Sequence, residues 1–331
     1  MRTFFFLIIF PIYSSLAREV ILYEKKDKGP YLNFNPVSYY FNTAFDTIQN
    51  PNYFSQDNYF KNHEKVLEKT FNLKRGIKEG GGIRKLLQNE VIGLRAMPNY
   101  FLHLLGSGYD FRVLAEWFQT NKFKEPYLWA FSFSYLAHLG NEALESSNEE
   151  DINAHDHIAD LLLFDLISKF IFLNDEYVAY LKNELGMLSW PYQPFVNQIG
   201  RVENAGSNFI IRPSLNHLQV KPFIHLGMQI LFGVSMPFYT QTLSIASGPA
   251  FTDPLKDKAR LALGIYLDED DILKASVILN GTDRFRVRLN VYPGVLSLSG
   301  LTPGFMLANS SDNEWVVGLV LNAPIGLAAR L

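Results

Sequence analysis

The C-terminal part of the chain alternates apolar and polar residues, and this alternation limits the fold more than any other feature. In the final segment EWVVGLVLNAPIGLAARL, every odd-numbered residue from Trp315 to Leu331 is apolar. The even-numbered positions include the polar residues Glu314, Asn322 and Arg330. Successive side chains of an extended strand point to opposite faces, so one face of this segment is continuously apolar. The sequence therefore predicts that the chain ends in a β-strand with one apolar face.

The same alternation occurs in earlier segments. It is clearest in VKPFIHLGMQILFGVSMPF, ARLALGIYL, LKASVIL and FRVRLNVYPGV. Turn-forming sequences such as DEDD and NGTD separate these segments, as expected for strands joined by short loops. With the further segments 207–215, 242–251, 302–309 and 314–331, the pattern predicts an antiparallel meander of about eight strands over residues 207–331.

The composition of the two rows indicates whether the apolar face of these strands is directed outward into lipid or inward into a core. The less apolar row is rich in Gly, Ala, Ser, Arg, Gln and Asn, which suits the narrow interior of a small membrane barrel. Large aromatic residues lie near strand ends, as in the aromatic girdles of membrane barrels: Phe238, Phe251, Phe285, Phe305 and Trp315. We therefore expect an eight-stranded outer-membrane-type barrel with its apolar row in lipid. A soluble β domain with that row directed inward is the alternative.

The N-terminal sequence MRTFFFLIIFPIYSSLA has the pattern of a secretory signal peptide. Arg2 supplies the positive start, an apolar run follows from Phe4 to Phe10, and small residues precede a cleavage site after Ala17. The apolar run is much shorter than the ~20 residues that a membrane-spanning helix requires. We expect residues 1–17 to be removed and the mature protein to be exported.

Between the signal peptide and the strands, the sequence predicts a mostly helical region. Residues 18–82 are an irregular, aromatic-rich segment with short helices, and residues 83–186 follow the helical period. Two strongly apolar helices are expected within the second range, at 126–147 and 157–173. A linker rich in Pro, Gly and Asn is expected at 187–206, where the period changes from helix to strand. The fold class is therefore α+β.

Composition excludes several functional classes. The 331 residues carry a formal net charge of only −3, and no basic patch stands out, so we expect no nucleic-acid partner. The chain contains no cysteine, which excludes disulfides, thiol catalysis and zinc–thiolate sites. No phosphate-binding loop is present, so no cofactor-binding residue is predicted.

The predicted helices carry one group of polar residues that could perform chemistry. His138 and Glu142 lie four residues apart, as do Asp156 and Asp160, and each pair therefore shares a helix face. If the helices pack together, His103 could join them. Histidine paired with a carboxylate acts as a general acid–base, and the same donors bind metals such as Zn²⁺. The catalytic candidates are His103, His138, Glu142, Asp156 and Asp160.

Each candidate also has a purely structural interpretation. His138 and Glu142 could form a buried hydrogen-bonded pair that fixes helix packing, and His103 could be a core histidine. Asp156 could be a helix N-cap. The neighbouring His155 and His157 are expected to lie in a solvated loop. A polar network inside an apolar bundle must be satisfied internally, which alone would account for these residues.

Some of these residues carry a resemblance to a family. His103 with Gly106, Glu142 on an aromatic helix, and Asp156 and Asp160 opening an apolar helix resemble uncharacterised bacterial envelope proteins. The segment TAFDTIQNPNYF is similar to the N-terminal part of the same proteins. The resemblance covers roughly residues 43–175. It implies an exported envelope protein with a helical domain followed by a C-terminal barrel, and it implies no activity.

The sequence thus predicts an envelope protein with a structural or lipid-associated role, located in the outer membrane with lipid as its partner. One alternative is an envelope hydrolase that acts on lipid or cell-wall material through the His/Glu/Asp residues. A second alternative is a soluble periplasmic carrier of a small apolar ligand.

Overall fold

The structure is a computed structural model that describes residues 19–50, 55–92, 99–145, 154–215, 217–253 and 258–331. The predicted signal peptide at 1–17 lies outside these residues. Helices occupy the N-terminal half and strands the C-terminal half, which confirms the α+β class.

The helical half begins with a capped helix. The Asn35 side chain accepts hydrogen bonds from the backbone N–H groups of Val37 and Ser38, and Pro36 takes the first helical position. The helices are α1 (Pro36–Ala44), α2 (Tyr59–Phe71), α3 (Leu73–Glu79), α4 (Ile83–Leu86), α5 (Ser107–Thr120), α6 (Pro126–Glu145), α7 (Ala154–Ile158), α8 (Asp165–Ile171) and α9 (Asp175–Asn183). None of the helices in the described ranges is long and apolar enough to cross a membrane.

Short segments of other helical types adjoin these helices. A 3₁₀-helix covers Asp46–Gln49, and π-helical segments cover Leu87–Ile92, Asn99–Gly106 and Ala159–Phe164. The third π-helical segment joins α7 to α8, so the predicted helix at 157–173 is an α–π–α element that begins at Ala154.

The strands form a single sheet. They are β1 (Met187–Ser189), β2 (Phe195–Asn197), β3 (Val202–Glu203), β4 (Phe209–Ile211), β5 (Lys221–Leu226), β6 (Leu231–Phe238), β7 (Gln241–Asp253), β8 (Lys258–Glu269), β9 (Ile272–Leu279), β10 (Phe285–Val291), β11 (Pro303–Ser310), β12 (Trp315–Leu321) and β13 (Gly326–Arg330). From β4 to β13, consecutive strands pair antiparallel, which confirms the predicted meander.

The predicted eight-stranded barrel is not supported. Among the described residues, the sheet has 13 strands in the order β1-β4-β5-β6-β7-β8-β9-β10-β11-β12-β13-β2-β3, which is not closed and has β1 and β3 at its ends. Residues 187–206, expected to be a linker, contain three of these strands. Strands of two or three residues beside Pro191 and Pro194 are too short to show an alternating pattern in the sequence.

The strands at both ends of this order belong to one hairpin. Met187 pairs with Ile211, and Phe195 pairs with Glu203, in one continuous register. Between these pairs, the Trp190 N–H donates to the Asn208 carbonyl at 2.7 Å. On the outer edges of the hairpin, β4 pairs with β5, and β2 pairs in parallel with β13. The hairpin at 187–211 is therefore bonded to both ends of the meander.

One row of the sheet is apolar and largely exposed, and the opposite face buries polar side chains together with apolar ones such as Tyr266 and Ile278. Leu261 on β8 is 73% exposed, and Leu327 on β13 is 75% exposed. On β12, Val317 and Leu319 are exposed, whereas their neighbour Val316 is buried. The opposite face of the sheet holds several buried polar side chains, namely Ser244, Asp268, Ser276, Arg288 and Asn290. We call the exposed apolar residues the outer row and the buried residues the inner row.

A bulge changes this alternation at the start of β10. The register of β10 against β11 shifts between Phe285 and Val287, so Phe285 is buried and Arg286 is exposed. The expected aromatic position at Phe285 is therefore wrong. Phe238 and Trp315, at the ends of β6 and β12, are exposed as expected.

The helices have a conventional apolar core that extends to one part of the sheet. Phe111, Leu114 and Phe118 of α5 are buried in one cluster with Phe209 of β4 and Leu226 of β5. Polar contacts add to this packing: the Gly206 N–H donates to Asn42 Oδ1 at 3.0 Å. The helical region is thus docked firmly against the hairpin and β5.

Candidate functional site

The five predicted site residues converge in the helical region. His103 lies on the π-helical segment Asn99–Gly106, His138 and Glu142 on α6, Asp156 on α7, and Asp160 on the π-helical segment Ala159–Phe164. Asp156 lies inside the first turn of α7 rather than before it, so it is not the N-cap. Because α6 has one polar stripe that packs against these elements, the five residues form a single cluster, which we call the helical polar cluster.

His103 lies at the centre of this cluster. Its Nε2 atom is 3.5 Å from Asp160 Oδ2, and its Nδ1 atom is 3.7 Å from Asp165 Oδ1. The His138 ring centroid is 5.4 Å from that of His103. Both rings are buried or nearly so. The two imidazoles therefore share one carboxylate neighbour, Asp165, away from bulk water.

Asp165 and Lys169 of α8 also belong to this cluster, although the sequence analysis does not include them among the candidates. Asp165 Oδ1 is 3.5 Å from His138 Nδ1, and Asp165 Oδ2 is 3.5 Å from Lys169 Nζ. Lys169 Nζ also donates to Ser107 Oγ at 3.4 Å. All of these groups are buried. The signal in the sequence was a charged i, i+4 pair within an otherwise apolar helix.

The expectation that His155 and His157 lie in a solvated loop is wrong. Both belong to α7 and are buried. His157 Nδ1 makes a short contact with Glu142 Oε2, and the His155 Nε2 atom lies 3.2 Å from the Ile77 carbonyl. The alternation of histidine and aspartate suggested a polar loop, but α7 turns both rings toward neighbouring helices.

The environments of His103 and His138 shift their pKa values in opposite directions. Burial lowers the pKa of His138 to about 3, although the Asp165 carboxylate opposes this shift. Burial also lowers the pKa of His103, but the neighbouring Asp165 carboxylate outweighs burial, so the net pKa is raised. His138 is therefore neutral near pH 7, and its ring nitrogen carries a lone pair for a proton or a metal.

The pKa values of Asp160 and Asp165 are also shifted in opposite directions. Burial, together with the charges of Asp156 and Glu142, raises the pKa of Asp160 well above its ordinary value. Asp165 is also fully buried, but the basic groups around it, His138, Lys169 and His103, outweigh burial and lower its pKa. Divided pKa values of this kind are typical of functional sites.

Several buried polar atoms in the cluster have no hydrogen-bond partner. They are His103 Nδ1, both ring nitrogens of His138, Glu142 Oε1, Asp160 Oδ1 and both carboxylate oxygens of Asp165. Buried polar groups in proteins are almost always hydrogen-bonded, because each one left without a partner costs about 1–3 kcal/mol. A cluster of such atoms is compatible with a bound water molecule or ion at this position.

Three overlapping sets of residues in the cluster could hold a metal ion. They are His103–His138–Asp165, His103–Glu142–Asp160 and Glu142–Asp156–His157, and within each set the ligand atoms lie within 4.8 Å of one another. Without a metal, a neutral histidine beside a carboxylate could exchange protons as a general acid–base. The arrangement thus supports either metal binding or proton transfer.

A second polar network lies on the inner face of the sheet, and it has a different character. The Asn204 side chain donates to Asn290 Oδ1 at 3.0 Å, and the Arg288 guanidinium donates to Asn204 Oδ1 at 3.2 Å. Arg288 also donates to Gln49 Oε1 and stacks 3.9 Å from the Tyr192 ring centroid. These contacts join the 3₁₀-helix Asp46–Gln49 to the sheet, so this network is structural.

Comparison with known proteins adds no further constraint on the site. No protein-family model, no curated protein and no solved structure matches this chain.

Proposed function

We propose that this chain is an exported envelope protein whose sheet meets outer-membrane lipid through its outer row. The observation that carries the proposal is the inverted sheet, in which apolar residues such as Leu261 and Leu327 are exposed and polar residues such as Arg288 are buried. Exposing a leucine side chain to water rather than burying it costs about 1.5–3 kcal/mol. An extended apolar surface marks an interaction site, and lipid suits a face formed by many strands.

The hairpin at 187–211 supports a sheet that curls around its inner face. Although the strand order is open at β1 and β3, β1 and β2 are parts of one extended segment, as are β3 and β4. We propose that the hairpin acts as the seam between β5 and β13. A sheet in lipid cannot leave long edges unpaired, because no water is present to satisfy the backbone. The single parallel pair, β2 with β13, fits a meander with an odd number of extended segments.

Cell fractionation tests this proposal. We expect the protein in the outer-membrane fraction, and we expect the detergent-extracted protein to migrate differently on a gel before and after boiling. Recovery in the soluble periplasmic fraction would contradict the proposal. That result would favour the carrier, with the outer row covered by an apolar ligand or a protein partner.

A second candidate function is supported by the helical polar cluster. Neutral His138 beside Asp165, with several unsatisfied atoms around them, is an arrangement suited to an envelope hydrolase acting on lipid or cell-wall material. Purified protein and its His138→Ala variant should be compared on phospholipid and peptidoglycan substrates. Hydrolysis by the unsubstituted protein alone would establish this role, provided that circular dichroism shows both proteins to be folded. Equal activity of the two would exclude it.

A further inference from the structure

The centre of the helical polar cluster has donors and acceptors that lack a hydrogen-bond partner in the protein. Both ring nitrogens of His138 and both carboxylate oxygens of Asp165 lack hydrogen-bond partners, although His138 is 6% exposed and Asp165 is fully buried. His103 Nδ1 also lacks a partner. Residues on three separate helical elements therefore direct unsatisfied atoms into one buried region. Helix packing alone does not account for this arrangement.

The distances among these atoms match those between ligands of a single metal ion. His138 Nδ1 is 3.5 Å from Asp165 Oδ1, and His103 Nδ1 is 3.7 Å from the same oxygen. Two ligand atoms that each lie about 2.1 Å from a tetrahedral Zn²⁺ ion are roughly 3.4 Å apart. Both distances exceed a good hydrogen bond, and both allow an ion to lie between the atoms.

We propose that His103, His138 and Asp165 bind a divalent transition-metal cation of the Zn²⁺ class. Two imidazoles and one carboxylate are a common ligand set for such ions, with a fourth position left for water or substrate. Mg²⁺ and Ca²⁺ prefer ligand sets made of oxygen atoms, so we expect both to bind poorly. This inference goes beyond the lipid-facing role and does not depend on it.

The neighbouring residues are placed as positioning residues for these ligands. Lys169 Nζ lies 3.5 Å from Asp165 Oδ2, which leaves Oδ1 for the ion. Asp160 Oδ2 lies 3.5 Å from His103 Nε2, the ring nitrogen on the side away from Asp165. A carboxylate behind a metal-binding histidine fixes the orientation of the ring and increases its basicity. The first ligand set supplies two imidazoles and the set His103–Glu142–Asp160 supplies only one, so a transition-metal ion favours the first set.

π-Helical turns place two of these residues. His103 and Asp160 each lie on a π-helical segment, between or beside α-helical turns. Such segments are rare and occur frequently at functional sites, because the extra residue per turn changes the direction of the side chains. This observation is independent of the unsatisfied atoms, and it indicates the segment that carries His103 and the segment that leads into α8.

Titration of the full-length protein with ZnCl₂ after treatment with a chelator tests the proposal. By isothermal titration calorimetry, we expect one Zn²⁺ per chain and an affinity at least 100-fold higher than that for Mg²⁺. His138→Ala and Asp165→Asn should each lower the Zn²⁺ affinity at least 100-fold. Asp160→Asn should retain the stoichiometry and lower the affinity roughly 10- to 100-fold, as expected for a residue behind a ligand.

A matched control comes from another buried histidine. His225 on β5 is also buried, and its Nδ1 atom also lacks a partner, but it lies outside the cluster. His225→Ala should therefore bind Zn²⁺ as the unsubstituted protein does. Binding that is equal in His138→Ala and the unsubstituted protein would overturn the proposal. So would loss of binding in Asp160→Asn but not in His138→Ala.

A spectroscopic measurement on the unsubstituted protein avoids the risk that a variant fails to fold. Co²⁺ bound in place of Zn²⁺ should give visible absorption bands of a four- or five-coordinate ion with nitrogen ligands, and added Zn²⁺ should abolish them. A spectrum that shows hydrated Co²⁺ and no bound Co²⁺ would contradict the proposal. Membrane fractionation of the same preparation reports separately on the lipid-facing role.

Discussion

The helical region and the sheet place their apolar side chains differently. In α5, Leu114 and Phe118 are buried, as in a protein folded in water. In β12, by contrast, Val317 and Leu319 are exposed, and the inner face of the sheet holds polar residues such as Arg288. The difference shows that apolar content alone does not locate a core. The proposed function accounts for it by different solvents, water for the helices and lipid for the outer row.

The largest effect is expected from damage to the helical core. Leu114→Ala should lower the free energy of unfolding by about 2–5 kcal/mol, because Leu114 is fully buried and its loss leaves a cavity. The exposed Leu128 on α6 is the matched control, and Leu128→Ala should have little effect. Urea unfolding monitored by tryptophan fluorescence measures both. Equal effects of the two substitutions would contradict the assignment of Leu114 to a hydrophobic core of the kind found in water-soluble domains.

A charge on the outer row should distinguish lipid from water. Leu319→Arg should destabilise the sheet by about 2–4 kcal/mol in a bilayer, because the arginine would enter hydrocarbon. The same substitution at an exposed site in water usually changes stability by under about 0.5 kcal/mol. Phe60→Arg, at an exposed position on α2, is the control. Denaturant unfolding in liposomes measures both, and a negligible effect at Leu319 would contradict lipid contact.

A smaller loss is expected when the inner network is interrupted. Arg288→Met should destabilise the protein by about 1–3 kcal/mol, because it removes the donor to Asn204 and Gln49 inside the sheet. Arg286 lies two residues earlier on the exposed side, so Arg286→Met is a matched substitution that should cost less. Thermal unfolding of the two variants measures the difference. A larger loss at Arg286 would contradict the assignment of the inner face.

The last prediction concerns how stability depends on pH rather than its value at one pH. Burial raises the pKa of Asp46 to about 8, even though Gln49 and Arg288 oppose the shift. Its unfolded pKa is near 4, so the folded protein holds one more proton between these values, and stability falls as the pH rises from about 4 to about 8. Asp46→Asn should reduce that slope by up to one proton, or about 1.4 kcal/mol per pH unit.

Unfolding free energies between pH 4 and pH 8 measure this slope. Burial also raises the pKa of Asp110 to about 7, so part of the slope should persist in the Asp46→Asn variant. The control is Asp312→Asn, at an exposed turn position, which should leave the slope unchanged. An unchanged slope in Asp46→Asn would show that Asp46 is ionised in the folded protein.

Much of the sheet could be predicted from the sequence, because a period of two persists through long strands. The outer row at Leu261, Leu319 and Leu327 is exposed, as the composition of the two rows predicts. The hairpin at 187–211 was missed because its strands are short and contain prolines. The number of strands and the order in which they pair depend on contacts between distant segments, which no local pattern reports.

The helical polar cluster could be predicted in part. His138 and Glu142 were found because polar residues four apart stand out on an apolar helix. Asp165 and Lys169 form a similar i, i+4 pair, yet on α8 they resembled the solvated side of an ordinary helix. The burial of His157 follows from how α7 packs against α6, and helix packing is set by the tertiary structure rather than by local sequence.

The most direct test of the account is the environment of the outer row. The chain has no cysteine, so Leu319→Cys introduces a unique labelling site on the exposed face of β12. A fluorophore at this position should be quenched by lipids that carry a nitroxide on the acyl chain, and a fluorophore on an Asp312→Cys variant should not. Quenching at position 319 alone is the predicted result. Quenching at neither position, with both labels accessible to an aqueous quencher, would contradict contact between this sheet and lipid.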